Sequence, residues 1–150
     1  MSLKDILMED LKTSMKEKDN LRKNTITMLR SRIKQYEVDN REDANDDLIM
    51  QMIQKELKER SDTLESLKDS NRDDLIEDTK AEIAILEKYL PKQLSDDELA
   101  EIIEKIIADT KAESIKDMGK VMASAKEQIG SRATPKRMSE IIKEKLSSKN

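Results

Sequence analysis

These 150 residues contain no cysteine, histidine, tryptophan or phenylalanine, and only two glycines, two prolines and two tyrosines. Each absence removes a class of chemistry. Without cysteine there are no disulfides, no thiolate metal sites and no thiol nucleophile. Without histidine the commonest general base and the commonest transition-metal ligand are gone. The scarcity of aromatics excludes a platform on which single-stranded bases stack. With two glycines, and neither of them in a phosphate-binding loop or a nucleophile elbow, those two architectures are excluded as well. No apolar run approaches membrane-spanning length, and the N-terminus has no signal-peptide core. The plain expectation is a soluble cytoplasmic protein with no membrane contact.

What is present is charge and helical periodicity. Charged residues make up 41% of the chain, a composition that leans toward disorder. The aliphatics and nine methionines nevertheless recur at spacings of three and four, and strand-type β-branched runs are absent. The expectation is an all-α protein with narrow helix–helix seams. Ser2 starts a first helix, and Asp19 or Asn20 a second whose stripe is Leu21, Thr25, Met28, Leu29, Ile33 and Tyr36. The polar segment 39–45 predicts a loop, after which Asn45 caps a long third helix. Asn71 caps a fourth, with Leu75, Ile76, Ile83, Leu86 and Leu90 inward, and Pro91 ends it. Ser95 with Glu98 forms a capping box for a fifth helix, and Ser114 with Asp117 repeats the device for a sixth. Gly130 fits the residue just past a helix end, and Thr134-Pro135 starts a seventh helix. The reading is an N-terminal region of four long helices, residues 1–90, and a C-terminal three-helix bundle, residues 95–150, with the break at Leu90–Leu94.

Charge is segregated along this framework. Residues 111–150 carry ten basic against five acidic residues, and residues 11–36 carry eight against two. The intervening 37–110 carries ten against 23. The basic blocks either solvate helix faces and pair with the acidic middle, or they contact phosphates. Four cations stand out for the second role: Lys120, Arg132, Lys136 and Arg137. Thr134-Pro135-Lys136-Arg137 sets two cations at a helix start, where they do nothing for the helix dipole and where free backbone N–H groups receive anions. Gly119 interrupts an apolar helix face, so it serves either close packing by another helix or close approach of a ligand. The 33 carboxylates show neither a calcium-loop spacing nor a marked acid/base pair. No catalytic residue, metal site or cofactor is assigned.

Several stretches carry a family likeness: Thr25–Tyr36 with Glu37, Lys55-Glu56-Leu57-Lys58-Glu59-Arg60, Arg72-Asp73-Asp74-Leu75, Tyr89-Leu90-Pro91-Lys92-Gln93-Leu94-Ser95, and Lys116-Asp117-Met118-Gly119-Lys120-Val121-Met122 followed by Arg132-Ala133. Through them the whole chain resembles the small bacterial YqeY-like proteins of the GatB/YqeY family. That family also includes the tail of the B subunit of the glutamine-dependent aspartyl/glutamyl-tRNA amidotransferase. The resemblance implies an N-terminal helical region, a C-terminal three-helix domain and a possible role in holding tRNA. It does not transfer the amidation site, which lies in domains this chain lacks. Three functional classes follow. The first is a non-catalytic accessory protein bound to tRNA or another structured RNA. The second is a helical module docking on a protein partner in tRNA metabolism, such as an amidotransferase or synthetase. The third and weakest is a carbon–nitrogen ligase with glutamine as amido donor.

Overall fold

A computed structural model describes residues 2–148. Its elements are seven α-helices: α1 (Leu3–Lys16), α2 (Asn20–Asn40), α3 (Asp46–Leu67), α4 (Asp73–Glu87), α5 (Asp96–Thr110), α6 (Met118–Ile129) and α7 (Pro135–Ser147). Single 3-10 turns at Ile115–Asp117 and Gly130–Arg132 flank α6. No strand occurs among the described residues, so the protein is all-α, as the periodicity predicts.

The helix starts follow local chemistry. The side chains of Ser2, Asp19, Asn45, Ser95 and Thr134 each accept a backbone N–H in the first turn of the helix they precede, satisfying donors that have no intrahelical partner. The Ser95–Glu98 box is complete in both directions. The Ser114–Asp117 box is also complete, but it closes a 3-10 turn, and α6 proper begins at Met118. Two expectations are corrected. Asn71 does not cap α4: it takes the left-handed conformation at φ 58, while Ser70 Oγ accepts the Arg72 N–H at 3.2 Å and Arg72 precedes the helix without a side-chain cap. Asparagine tolerates that backbone region, and here the turn uses the tolerance. Leu75, expected inward, is 37% exposed, and Thr79 is buried one turn later, its hydroxyl donating to the Leu75 carbonyl at 2.7 Å.

Glycine scarcity has a visible consequence. Lys18, Arg41, Asn71 and Lys111 all adopt left-handed φ between 52 and 60, in turns that glycine would occupy without strain. Each such non-glycine residue costs about 1–2 kcal/mol. Gly130 is the exception: its φ 59 and ψ −128 lie in a region open to glycine alone.

The chain divides into two compact units between Leu90 and Pro91. In the N-terminal unit α1 packs on α2, α3 on α4, and α2 on both α3 and α4. Its core contains Leu7, Ile26, Leu29, Ile49, Ile53 and Leu86, none more than 1% exposed. Polar ties lock the helix ends. Leu3 N–H donates to Asp46 Oδ1 at 3.0 Å, and Glu37 Oε2 accepts both the Ala44 N–H at 2.8 Å and the Lys4 ammonium. In the C-terminal unit α5, α6 and α7 pack pairwise around Leu99, Ile103, Ile106, Val121, Met138, Ile142 and Leu146. Each of these side chains contributes about 1.5–3 kcal/mol relative to exposure.

Candidate nucleic-acid interface

The four proposed phosphate contacts sit in different local settings. Lys120 is the third residue of α6 and is exposed, with its ammonium 3.8 Å from Asp117 Oδ1. The Asp117 carboxyl is held below its usual range, first by the N–H of Glu113, then by the N–H of Ser114, with a smaller share from Lys120. Lys120 therefore faces a carboxylate that stays ionised. Lys136 is exposed at the second position of α7 and makes no hydrogen bond or ion pair with any described residue.

The two arginines are engaged. Arg132 Nη2 donates to the Gln128 carbonyl at 3.0 Å and its Nε to the Ile129 carbonyl at 3.3 Å. It thus satisfies the carbonyls that α6 leaves open at its C-terminus, where a cation also suits the helix dipole. Arg137 Nη2 donates to the Leu94 carbonyl and to Asp96 Oδ1, both at 2.8 Å. Leu94 N–H in turn donates to the Arg132 carbonyl at 2.8 Å, and Gln93 Nε2 donates to the Ser131 carbonyl at 2.8 Å. The segment leading into α5 is therefore clamped onto the turn between α6 and α7, and Arg137 is the side chain that closes the clamp.

Lys120 stands at the start of α6 and Arg132 past its end, separated by roughly 15 Å of helix axis. This geometry corrects two expectations. The first turn of α7 is not a cluster of free N–H groups. Pro135 has none, Arg137 N–H donates to Thr134 Oγ1 at 3.2 Å, and Met138 N–H donates to the Thr134 carbonyl at 3.1 Å. Gly119 does not serve close helix packing, because it is exposed and a Cβ placed there meets nothing within 4 Å.

A buried ionic cluster in the N-terminal unit is absent from the expectations altogether. Glu56 is 2% and Arg60 8% exposed. Arg60 Nη1 lies 2.5 Å from Glu56 Oε2, and Arg60 Nε faces Glu82 at 3.5 Å. Arg32 reaches across from α2 to Glu56 with its Nε and to Glu59 at 3.4 Å with its Nη2. Alternating charges of this kind tie α2, α3 and α4 together. The sequence signal was the i,i+4 spacing of Glu56 and Arg60, a spacing that on charged helices usually marks a solvated face. Among the described residues no group of three acidic side chains is placed to hold a metal ion. No helix among them is long and apolar enough to cross a membrane.

Comparison with known proteins locates the chain. Two relatives are the mitochondrial proteins called Altered inheritance of mitochondria protein 41 from Kluyveromyces lactis and Lachancea thermotolerans, 38% and 39% identical over 84 and 85 residues. These matches cover 55% and 56% of this chain but 45% and 46% of the relatives, so the chain matches less than half of their length. The protein of the same name from Pyrenophora tritici-repentis is 26% identical over 142 residues, 91% of this chain and 78% of that protein. These relatives are fungal and named as mitochondrial, in contrast to the bacterial, cytoplasmic setting expected from sequence. The family described as Yqey-like protein matches residues 4–146, nearly the whole chain, and the chain belongs to that family.

Proposed function

We propose that this protein is a non-catalytic accessory factor that binds structured RNA, with tRNA the first candidate, through phosphate contacts of its C-terminal unit. The observation that carries the reading is the charge of the last two helices and their turns: residues 111–150 hold ten cations against five acids, while α5 carries the acids that bring the whole unit close to neutrality. Lys136 is exposed with no partner among the described residues, and Lys120 is exposed with only one neighbouring carboxylate at 3.8 Å. Two exposed cations on separate helices, Lys120 on α6 and Lys136 on α7, suit sequence-independent contact with backbone phosphates. The scarcity of aromatics, two tyrosines in the whole chain, favours recognition of backbone and shape over bases. The resemblance to the amidotransferase tail, which helps hold the tRNA body, points the same way. Arg137 and Arg132, held by backbone carbonyls, position the surface and supply long-range field.

A gel shift with total tRNA at low and moderate salt tests the reading. The wild type should shift tRNA at low salt, and Lys120→Glu with Lys136→Glu should abolish the shift while leaving the helical signal intact. No shift by the wild type at low salt would refute it.

One observation favours a second reading, docking on a protein partner. α1 exposes Met8 and Met15, seven residues apart and so on one side of the helix, and α2 exposes Met28. Flexible thioether side chains of this kind suit an adaptable apolar contact. Capture of a partner that survives nuclease treatment and is lost on Met8→Ser with Met15→Ser would favour it.

A further inference from the structure

The N-terminal unit contains a groove of about 400 Å³ between α1 and α2, lined by Lys4, Leu7, Thr27, Arg30, Ser31, Ile33, Lys34 and Glu37. That size lies within the range of small-ligand sites. Thr27, Arg30, Ser31 and Lys34 recur at i, i+3, i+4 and i+7, which puts them on one side of α2. Leu7 and Ile33, 0% and 4% exposed, form an apolar floor.

The electrostatics of this groove are one-sided. Its lining holds three cations and one carboxylate. That carboxylate, Glu37, is already balanced: it takes the Lys4 ammonium and the Ala44 N–H, and these two bonds, the ammonium first, hold its pKa below the usual range. Arg30 and Lys34 have no ion pair and no side-chain hydrogen bond with any described residue, although Arg30 is half-buried. Ser31 likewise keeps its hydroxyl proton for a ligand, whereas Thr27 gives its own to the Lys23 carbonyl at 2.7 Å. A half-buried guanidinium, an ammonium one turn away and a hydroxyl between them, with no acid left to answer them, form a donor set without an acceptor. The planar fork of arginine matches the oxygens of a phosphate, and lysine adds a point charge.

We propose that this α1–α2 groove binds a small phosphate-bearing molecule, a phosphate monoester or diphosphate of nucleotide size or less, with Arg30, Lys34 and Ser31 as the phosphate donors and Leu7 and Ile33 beneath the apolar part. The proposal is independent of RNA binding by the C-terminal unit. Pyrophosphate and adenosine 5′-monophosphate, titrated into the 15N-labelled protein at constant ionic strength, are the probes. Saturable amide shifts should cluster in residues 4–7 and 27–37. Arg30→Gln with Lys34→Gln should weaken binding at least tenfold, Lys34→Glu alone should weaken it as well, and Lys136→Glu should leave it unchanged. Scattered, non-saturating shifts over lysines of both units would overturn the proposal, as would unchanged binding by the double variant. Loss of tRNA binding in Arg30→Gln/Lys34→Gln, with neither small anion bound by wild type, would also overturn it, assigning the groove to an RNA backbone.

Discussion

Tyr89 donates its hydroxyl proton to Asp10 Oδ2 at 2.6 Å, joining the turn that follows α4 to the middle of α1 across 79 residues of sequence. Arg22 stands 3.5 Å from the other oxygen of the same carboxylate. Burial, then the bond to Asp10, raise the Tyr89 pKa far above its usual value, so the phenol stays a donor throughout the accessible pH range. Removing the hydroxyl in Tyr89→Phe should cost about 1.5–3 kcal/mol, the range for hydrogen bonds to charged groups. Asp10→Asn should cost less, since an amide oxygen still accepts. Urea unfolding of both variants and of the double variant checks this, with the double costing less than the sum. Strict additivity would mean the two residues do not act as a pair.

The Arg137 clamp predicts a division of labour between adjacent cations. Arg137→Ala should destabilise the C-terminal unit by about 1–3 kcal/mol through loss of a charge-assisted bond to a part-buried carbonyl. Lys136→Ala should change stability by less than about 0.5 kcal/mol. Hydrogen exchange at the Leu94 amide reads the effect directly: it should accelerate in Arg137→Ala and stay put in Lys136→Ala.

Backbone conformation and residue choice disagree at two helix ends, and the disagreement is measurable. Gly119 is helical with open space around its Cβ position, so Gly119→Ala should gain about 0.4–1 kcal/mol. Lys111 is left-handed at φ 56, so Lys111→Gly should gain about 0.5–1 kcal/mol, the relief of strain outweighing the added freedom of the unfolded chain. Gly130→Ala should do the reverse. Thermal melts of the three variants should show two increases and one decrease in Tm.

Much of this architecture is local and therefore legible from sequence. Ser2, Asp19, Asn45, Ser95 and Thr134 act within one turn of themselves, so their neighbours in sequence reveal their role. Asn71 misled because asparagine suits both a cap and a left-handed turn, and only the path of the chain selects between them. Leu75 misled because periodicity shows a face and not how far along the helix a partner extends. The candidate site was less legible for the same physical reason. Cations at 120, 132, 136 and 137 are visible in sequence, but whether a guanidinium faces solvent or a carbonyl 43 residues away, as Arg137 faces Leu94, is settled by tertiary packing. The Glu56–Arg60–Arg32 cluster was hidden likewise, since burial is what distinguishes it from a surface pair.

Stability should be insensitive to pH through the neutral range and fall in acid. The chain has no histidine. Glu37, Glu98 and Asp117 have pKa values held below their usual 4.5, 4.5 and 3.8 by hydrogen bonds from Lys4 and from backbone N–H groups. A depressed carboxyl stabilises the fold above its unfolded pKa and loses that contribution as pH falls through the folded value. The midpoint of urea unfolding should therefore be flat from about pH 5.5 to 8 and decline below about 4.5. Lys4 and Lys145, raised above 10.5 by Glu37 and Glu104, lose their contribution only as pH rises beyond that value.

RNA binding through a few exposed cations makes one quantitative demand. Each phosphate contact releases counterions, so the logarithm of the affinity for tRNA should fall linearly with the logarithm of salt concentration. Fluorescence anisotropy with labelled tRNA across a salt series gives that slope for wild type and for Lys120→Gln with Lys136→Gln. The account predicts binding at low salt, a steep negative slope in wild type, and a slope shallower by about 2 in the double variant, one unit per lost contact. Binding that is absent at low salt, or a slope identical in the two proteins, would contradict it.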